Sequence, residues 1–406
     1  MRSGFLALLP AAWLLASGCV PQEEQPGVNN ALGVLSPGAA AATGSSGNAT
    51  AVSSGGAAAQ SLRITGTLGG GSSHQVTGIG SASPGEQILI RSGPGSANRA
   101  FIVVLLDDNL DLVLRSAIGG SVSASHIVRH AAADLRIGVM TVSGGSGGDY
   151  ELLVDRVGTV AVPAPAEQVV YLNFAGGNGV RVNRRAPISF PAFDAARLGS
   201  AYAGRTQEMK SAITAQMRAD YASYNVSILS SDDGPPPAGT HAVVHFGGDD
   251  DGLLGLADNV DMYNQDPAQT AVVYADAFGL YAVMQLDADE MATMIGNVGS
   301  HELGHLLGLF HTRNPVDVMD TTGSAWELAV DQSFARVALE PSVFPTGFGN
   351  SPLLLSQTVG ARVAAAVEAG PEVAKSGAAR LKMSRARRLA QEEIGHRCGT
   401  CAHLDD

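Results

Sequence analysis

The stretch HELGHLLGLFH, residues 301–311, constrains this 406-residue chain more than any other. On an α-helix, residues four apart lie on one face about 6 Å apart along the axis, so His301 and His305 point the same way. Two imidazoles at that spacing can occupy adjacent corners of a tetrahedral zinc ion. Glu302 lies one step round the helix, where its carboxylate can reach a water near the metal and act as a general base.

The turn after this helix supplies a third candidate ligand. Gly308 can take the left-handed conformation that ends a helix, and His311 can then swing back towards the metal. Three neutral histidines leave one position for water, which is typical of a catalytic zinc site, and they fit zinc better than a non-haem iron triad. The alternative is that these are ordinary histidines on a helix. It is disfavoured because chance would rarely add Gly308 and His311 at these positions after His301, Glu302 and His305.

The stretch matches HExxHxxGxxH, the long zinc-binding motif of the metzincin metalloproteases. Met319, eight residues after His311, matches the Met-turn of that family, and Pro315 between them resembles the matrixin branch. Thr321 stands where astacins and serralysins carry a tyrosine, and Thr312 differs from the astacin Glu and the adamalysin Asp. The resemblance implies a zinc-dependent metalloendopeptidase in which Met319 forms the apolar floor beneath the imidazoles.

The resemblance also implies a place for a protein or peptide substrate. In metzincins the peptide lies extended along the edge strand before the motif helix, a form of strand addition. The counterpart here is LLGLAD, residues 253–258. Four of its residues are candidates for contact with the substrate: Leu254, Gly255, Leu256 and Ala257. Glu302 would take a proton from water and pass it to the leaving amine.

Residues 1–19 resemble a bacterial lipoprotein signal peptide. Arg2 precedes the apolar run FLALLPAAWLLA, which is too short to cross a bilayer, and ASGC ends at Cys19. The resemblance implies that Cys19 carries lipid, and that the chain is exported to the outer membrane or the cell surface. The alternative is an ordinary cleaved signal peptide and an extracellular protein. Membrane contact is expected only through the lipid anchor.

Composition divides the next part of the chain into a tether and a β-rich segment. Residues 20–60 are rich in Gly, Ala and Ser and lack aromatic residues, which is typical of a flexible tether. Residues 61–160 contain short strand signals between Gly and Ser clusters, which predict an all-β sandwich. Its ending, GGDYELLVDRV, resembles the pre-peptidase C-terminal type of β-sandwich.

Residues 166–345 mix strand signals with two helices, and so predict an α/β or α+β catalytic domain. One helix is the amphipathic stretch TQEMKSAITAQMRADYASYNV, and the other runs from about Asp289 to Leu307. The metzincin resemblance implies a mixed twisted sheet beside this active-site helix. Residues 346–406 contain a helical segment and a basic tail with two cysteines. The expected fold class is therefore multidomain, an N-terminal sandwich followed by a metzincin-like domain.

The acidic stretch GGDDDGLLGLADNVD is a candidate calcium site. Asp249, Asp250 and Asp251 are hard carboxylates on a glycine-rich loop, and matrixins carry calcium in this region. Matrixins also carry a second, structural zinc there, but this chain has Asp258 near the position of one ligand histidine, so a second zinc is not expected. The alternative for the three aspartates is a solvated acidic loop.

The tail sequence HRCGTCAH leaves three interpretations open. If Cys19 is lipidated, Cys398 and Cys401 remain as an even pair, which favours a disulfide in an oxidising compartment. With His396 and His403 they can also form a metal site. RCG also resembles the cysteine switch of matrixins, although that motif belongs to an amino-terminal propeptide.

The charge balance limits the class of partner. A formal net charge of −13 argues against nucleic-acid binding, because phosphate contact requires a basic face. The function that the sequence predicts is a secreted or surface-anchored zinc metalloendopeptidase. One alternative is a surface binding or adhesion lipoprotein with an inactive peptidase-like domain. Another is a zinc hydrolase acting on a non-peptide amide.

Overall fold

The structure is a computed structural model that describes residues 50–54, 60–69, 73–96, 99–142, 145, 147–250 and 252–362. Six candidate residues lie outside the described ranges: Cys19, Asp251, His396, Cys398, Cys401 and His403. All described residues belong to one compact unit, so separate domains at 61–160 and 166–345 stay a prediction. None of the helices in these ranges has both the length and the apolar character that a membrane crossing requires.

The described strands before residue 160 form two antiparallel sheets. They are β1 (Thr50–Ser54), β2 (Gln60–Leu68), β3 (His74–Ala82), β4 (Glu86–Ser92), β5 (Ala100–Leu106), β6 (Leu112–Gly119), β7 (Ala124–Ile127), β8 (Ala132–Thr141) and β9 (Gly148–Thr159). The first sheet has the order β1-β2-β9-β4-β7 and the second has the order β3-β8-β5-β6. Apolar side chains from both sheets share one core, as alternating strands in two packed sheets require.

Strand β5 is buried on both of its faces. Alternate side chains point to opposite faces of a strand, so Val103 faces the core between the two sheets, and Val104 faces the other way. That second face packs on the rest of the chain: a Cβ placed on Gly138 of the neighbouring β8 would lie 2.4 Å from the ring of Phe344. The continuous apolar run AFIVVLL is typical of a strand covered on both sides.

The later strands include a five-stranded mixed sheet. They are β10 (Gln168–Asn173), β11 (Gly177–Val180), β12 (Ile188–Phe190), β13 (Val226–Ser230), β14 (Ala242–Phe246), β15 (Gly255–Ala257), β16 (Thr270–Val273), β17 (Arg336–Ala338) and β18 (Phe348–Asn350). The mixed sheet has the order β13-β10-β14-β16-β15, and only β15 is antiparallel to its neighbour. The candidate substrate strand is therefore an edge strand. The other later strands form two hairpins, β11-β12 and β17-β18.

The described part of the chain contains four α-helices, and the two long ones, which are the first and the second, pack on one another beside this sheet. The helices are α1 (Thr206–Asp220), α2 (Ala288–Leu306), α3 (Ala325–Leu328) and α4 (Ser351–Thr358). Helix α1 buries Met209, Ile213 and Met217, as their spacing of four predicts. Helix α2 begins one residue before its expected start, because Asp287 caps it: its side chain accepts from the backbone N–H of Glu290. The described chain is a sheet-rich α+β fold with few helices.

Candidate metal centre

The three motif histidines meet at one point. The Nε2 atoms of His301 and His305 lie 3.1 Å apart, those of His305 and His311 3.2 Å, and those of His311 and His301 3.1 Å. All three side chains are buried. Among the described residues, no other set of three histidine, cysteine or acidic side chains lies close enough to share an ion.

Backbone carbonyls orient two of these rings. Nδ1 of His301 donates to the carbonyl of Val318 at 2.8 Å, and Nδ1 of His305 donates to the carbonyl of Leu309 at 2.8 Å. In the neutral tautomer these bonds require, each Nε2 carries a lone pair, and the lone pairs face one another. A shared cation would relieve that repulsion.

The spacing of the nitrogens fits zinc. Nitrogens at about 2.0–2.1 Å from a tetrahedral zinc lie roughly 3.3 Å from one another, close to the distances within this triad. Imidazole is also a ligand type that zinc accepts, and the outward donation from Nδ1 is the usual support for a metal-binding histidine. The donor set of this site therefore matches a single zinc ion.

The turn at Gly308 brings His311 back to the other two histidines. Gly308 has φ of 93°, the left-handed region that favours glycine. Space is limited there as well, because a Cβ on Gly308 would lie 2.6 Å from Cα of Met262. The glycine of the motif is therefore required both by the turn and by the neighbouring 261–263 loop.

Glu302 lies against the edge strand. Its side chain is fully buried, and a Cβ on Gly255 would lie 2.3 Å from Oε1 of Glu302. Of the predicted substrate residues, Gly255, Leu256 and Ala257 form β15, and Leu254 directly precedes it. All four are buried. The fold thus places the candidate general base and the candidate substrate strand in contact.

Met319 packs against the motif helix at Gly304. The methionine is fully buried, and a Cβ on Gly304 would lie 2.5 Å from its Sδ. The adjacent Val318 carries the carbonyl that accepts from His301. The segment predicted as a Met-turn therefore supports the histidines both by packing and by a hydrogen bond.

A buried Thr–Asp pair closes the loop between His311 and Met319, and sequence reasoning did not find it. The hydroxyl of Thr312 donates to Oδ2 of Asp317 at 2.5 Å, and the N–H of Ala335 donates to Oδ1 of the same aspartate at 3.0 Å. Burial raises the pKa of Asp317 to about 6, although these hydrogen bonds act in the opposite direction. The sequence signal that could have indicated this pair is the presence of polar residues in the stretch HTRNPVDVMD.

Tyr274 and Arg185 form a second polar group near Glu302 that the sequence did not reveal. Burial, followed by the charge of Asp250, raises the pKa of Tyr274 to about 12, and the charge of Glu302 adds to the same effect. Arg185 is hydrogen-bonded to this phenol and donates to Oδ2 of Asp250 at 2.9 Å. The phenol therefore stays neutral near the candidate base, and its oxygen accepts from Arg185.

The ion pair with Arg185 also bears on the candidate calcium loop. One carboxylate oxygen of Asp250 accepts from the guanidinium of Arg185, so this carboxylate has fewer lone pairs available for a cation. Asp251 lies outside the described residues. Calcium binding by Asp249, Asp250 and Asp251 stays a prediction.

Comparison with known proteins gives only partial structural matches. No family model and no curated protein matches this chain. Archaemetzincin from Methanopyrus kandleri is 14% identical with a TM-score of 0.26, and the match covers 47% of this chain and 95% of that one. A periplasmic lysozyme inhibitor from Aeromonas hydrophila is 18% identical with a TM-score of 0.19, covering 24% of this chain and 86% of that one.

A third match is procruciferin, an 11S globulin from Brassica napus. It is 9% identical with a TM-score of 0.16, over 25% of this chain and 20% of that one, so this chain spans about a fifth of its length. At these TM-scores none of the matches establishes a function. The functional proposal therefore depends on the geometry of the histidine triad and of Glu302.

Proposed function

We propose that this chain is a zinc metalloendopeptidase with Glu302 as its general base. The observation that carries the proposal is the triad: three buried Nε2 atoms lie 3.1–3.2 Å from one another at the end of α2. His301, His305 and His311 would hold the ion. Three histidine ligands leave a coordination position for water, which distinguishes a catalytic zinc from a structural one.

Zinc, when bound, supplies a Lewis acid that lowers the pKa of water and polarises a carbonyl. The chain's own residues supply the proton transfer. Glu302 directly follows the candidate ligand His301, and in this proposal its carboxylate would accept a proton from water. The same carboxyl group can then deliver the proton to the departing amine nitrogen. Burial of Glu302 excludes competing solvent from this path.

The substrate in this proposal is an extended peptide that pairs with β15. Peptide binding by strand addition lays an extended segment beside the edge strand of a sheet, and β15 is an edge strand of the mixed sheet. Gly255 would place the peptide backbone close to Glu302, since no side chain separates the two. Residues 255–257 are buried, so a substrate reaches this edge only after a neighbouring part of the chain moves aside.

Export and lipid anchoring at Cys19 are part of the proposal, and rest on the sequence alone. The predicted tether spans residues 20–60 and would separate the catalytic part from the membrane, but the structure places Thr50–Ser54 of that range in β1, so the tether would end before this strand. Labelling cells with a palmitate analogue, with Cys19→Ser as the control, tests the anchor. Label on the wild-type protein that the serine variant lacks supports it, and absence of label from both contradicts it.

The function is tested with the full chain in a peptide-library digest, with and without a chelator, together with the zinc content of the purified protein. We expect one bound zinc, cleavage that the chelator abolishes, and a loss of at least about 100-fold in Glu302→Gln with zinc retained. Glu208→Gln is the matched control, because Glu208 is an exposed carboxylate on α1 paired with Arg205. A wild-type protein without zinc, or an active Glu302→Gln, would overturn the proposal.

The digest also separates the alternatives. A protein that binds zinc and cleaves no peptide, yet hydrolyses small amides in a substrate screen, would be a non-peptide amidase. Zinc binding with no hydrolysis of either kind would favour the binding lipoprotein. Both outcomes would contradict the peptidase.

A further inference from the structure

The histidine triad depends on two loops that hold its backbone from outside the motif. The first is the 261–263 loop, in which the N–H of Asp261 donates to the carbonyl of His305 at 3.0 Å. The second is the 340–344 loop, in which the N–H of Glu340 donates to the carbonyl of His311 at 3.0 Å. Each loop therefore fixes the main chain of one ligand.

Arg115 of the sandwich strand β6 contacts both loops. Its backbone N–H donates to Sδ of Met262 at 3.2 Å, in the first loop. Its Nε donates to the carbonyl of Val343 at 3.0 Å, in the second. Its guanidinium carbon lies 5.6 Å from the ring centroid of Phe310, the residue before the third ligand. Arg115 thus joins the two supports: its backbone bonds to the first loop, and its side chain bonds to the second and packs on the motif.

Tyr263 fastens the first loop to the same strand. Its hydroxyl donates to the carbonyl of Val113 at 2.8 Å, and Arg129 lies 3.9 Å over its ring. Tyr263 has φ of 66°, a conformation that a bulky residue adopts only where the surroundings enforce it, and Asn264, a residue type that tolerates this region, has φ of 48°. The neighbouring Met262 is the residue against which the Gly308 turn packs.

The second loop is fastened by packing. Phe344 is fully buried, and its ring fills the space over Gly138 of β8, where a Cβ would lie 2.4 Å from Cζ. The outer face of β5, including Ile102 and Val104, belongs to the same buried cluster as the residues around the triad. Such a contact has the character of a domain core rather than of a mobile domain interface.

We infer that the β-sandwich is part of the scaffold of the metal centre, and that Arg115 and Tyr263 are positioning residues for the third ligand, His311. This inference rests on the proposed function, because it assigns the triad a metal. Neither residue touches the metal position. They act through the two loops, which hold the Gly308 turn so that the third imidazole meets the other two.

The test uses full-length variants and measures zinc affinity by competition with a chromogenic chelator. Arg115→Met keeps the aliphatic stem and removes the guanidinium, and Tyr263→Phe removes only the hydroxyl. We expect each to raise the zinc dissociation constant by about 10- to 100-fold, the usual cost of losing a support around a metal ligand. Arg115→Lys should recover only part of the loss, because an ammonium lacks the planar donor geometry.

Matched controls separate positioning from general stability. The control for Arg115→Met is Arg136→Met, because Arg136 lies in the same sandwich and pairs with Asp134. Tyr171→Phe removes a hydroxyl that also donates to a backbone carbonyl, that of Gly234 at 3.0 Å. Both controls should keep wild-type zinc affinity even if their melting temperatures fall.

The outcomes distinguish this inference from the peptidase proposal. Zinc affinity unchanged in Tyr263→Phe and Arg115→Met would overturn the inference while leaving the peptidase intact. A wild-type protein that binds zinc but cleaves nothing would overturn the peptidase, and the affinities would still decide the positioning role. If Arg115→Met does not fold, the milder Tyr263→Phe decides the result.

Discussion

Gly255 and Glu302 are in such close contact that a Cβ on the glycine would lie 2.3 Å from Oε1 of the carboxylate. The backbone of Gly255 does not have positive φ, so the site requires the missing side chain rather than the freedom of glycine. The closeness joins the edge strand to the motif helix. It also gives the proposed chemistry a steric constraint that can be tested without changing Glu302 itself.

Gly255→Ala should displace the Glu302 carboxylate by the space that one methyl group takes. Because misplacement of a catalytic group by about 1 Å can cost about 100-fold, we expect kcat/KM to fall by about that factor, with zinc content unchanged. The control is Gly69→Ala, where the nearest atoms to the new Cβ are 3.6 Å away. Full activity in Gly255→Ala would show that Glu302 does not need its present place.

Gly304→Ala should force Met319 away from the helix, since the new Cβ would lie 2.5 Å from Sδ. Overpacking of a core costs about 1–3 kcal/mol, so denaturant unfolding should show a loss of this size. The double variant with Met319→Ala should lose at least 0.5 kcal/mol less than the sum of the single changes, about the smallest coupling expected of residues in contact. Additive losses would mean that the two residues do not interact.

Thr312→Val should loosen the support of His301, because Thr312 bonds to Asp317, which directly precedes Val318, the acceptor for Nδ1 of His301. The change removes the hydroxyl that donates to the buried Asp317, and so leaves that carboxylate with one donor fewer. We expect the zinc dissociation constant to rise about tenfold. Thr67→Val is the control, since its hydroxyl donates to Asp149 at 2.6 Å on an exposed surface. Equal zinc affinity in the two variants would contradict this role.

His126 should make the protein sensitive to acid. Burial, followed by the positive charges of Arg129 and His130, lowers the pKa of His126 to about 3, from an ordinary value of 6.5. Protonation of His126 is therefore more favourable in the unfolded state than in the folded state. The contribution of neutral His126 to the free energy of unfolding is complete above pH 6.5 and is lost as the pH falls towards 3. At pH 4 the loss is about 3 kcal/mol.

The measurement is the free energy of unfolding of the metal-free protein between pH 7 and pH 4. His126→Gln removes the titrating group, so its stability should fall by less over that range than the stability of the wild type. The metal-free form avoids the separate effect of zinc release at low pH, and any contribution of the three motif histidines is common to both proteins. Parallel curves for the two proteins would rule out His126 as the source.

Features within one or two helical turns could be predicted because short-range geometry determines them. The spacing of four between His301 and His305, and the turn at Gly308, follow from helix geometry and from the conformation that glycine permits. The buried face of α1 follows from periodicity in the same way. The mixed sheet could be anticipated only through the resemblance carried by the motif.

The sequence by itself determined which side chains can hold the metal, because all three candidate ligands lie within eleven residues of one motif. Only the tertiary structure decided what fixes them: the edge strand at Gly255, the carbonyl of Val318, the Thr312–Asp317 pair and the sandwich residue Arg115. These contacts join segments far apart in the chain, and no local pattern specifies which distant segments meet. Their positions follow from packing of the whole core, in which each close approach depends on every neighbouring side chain.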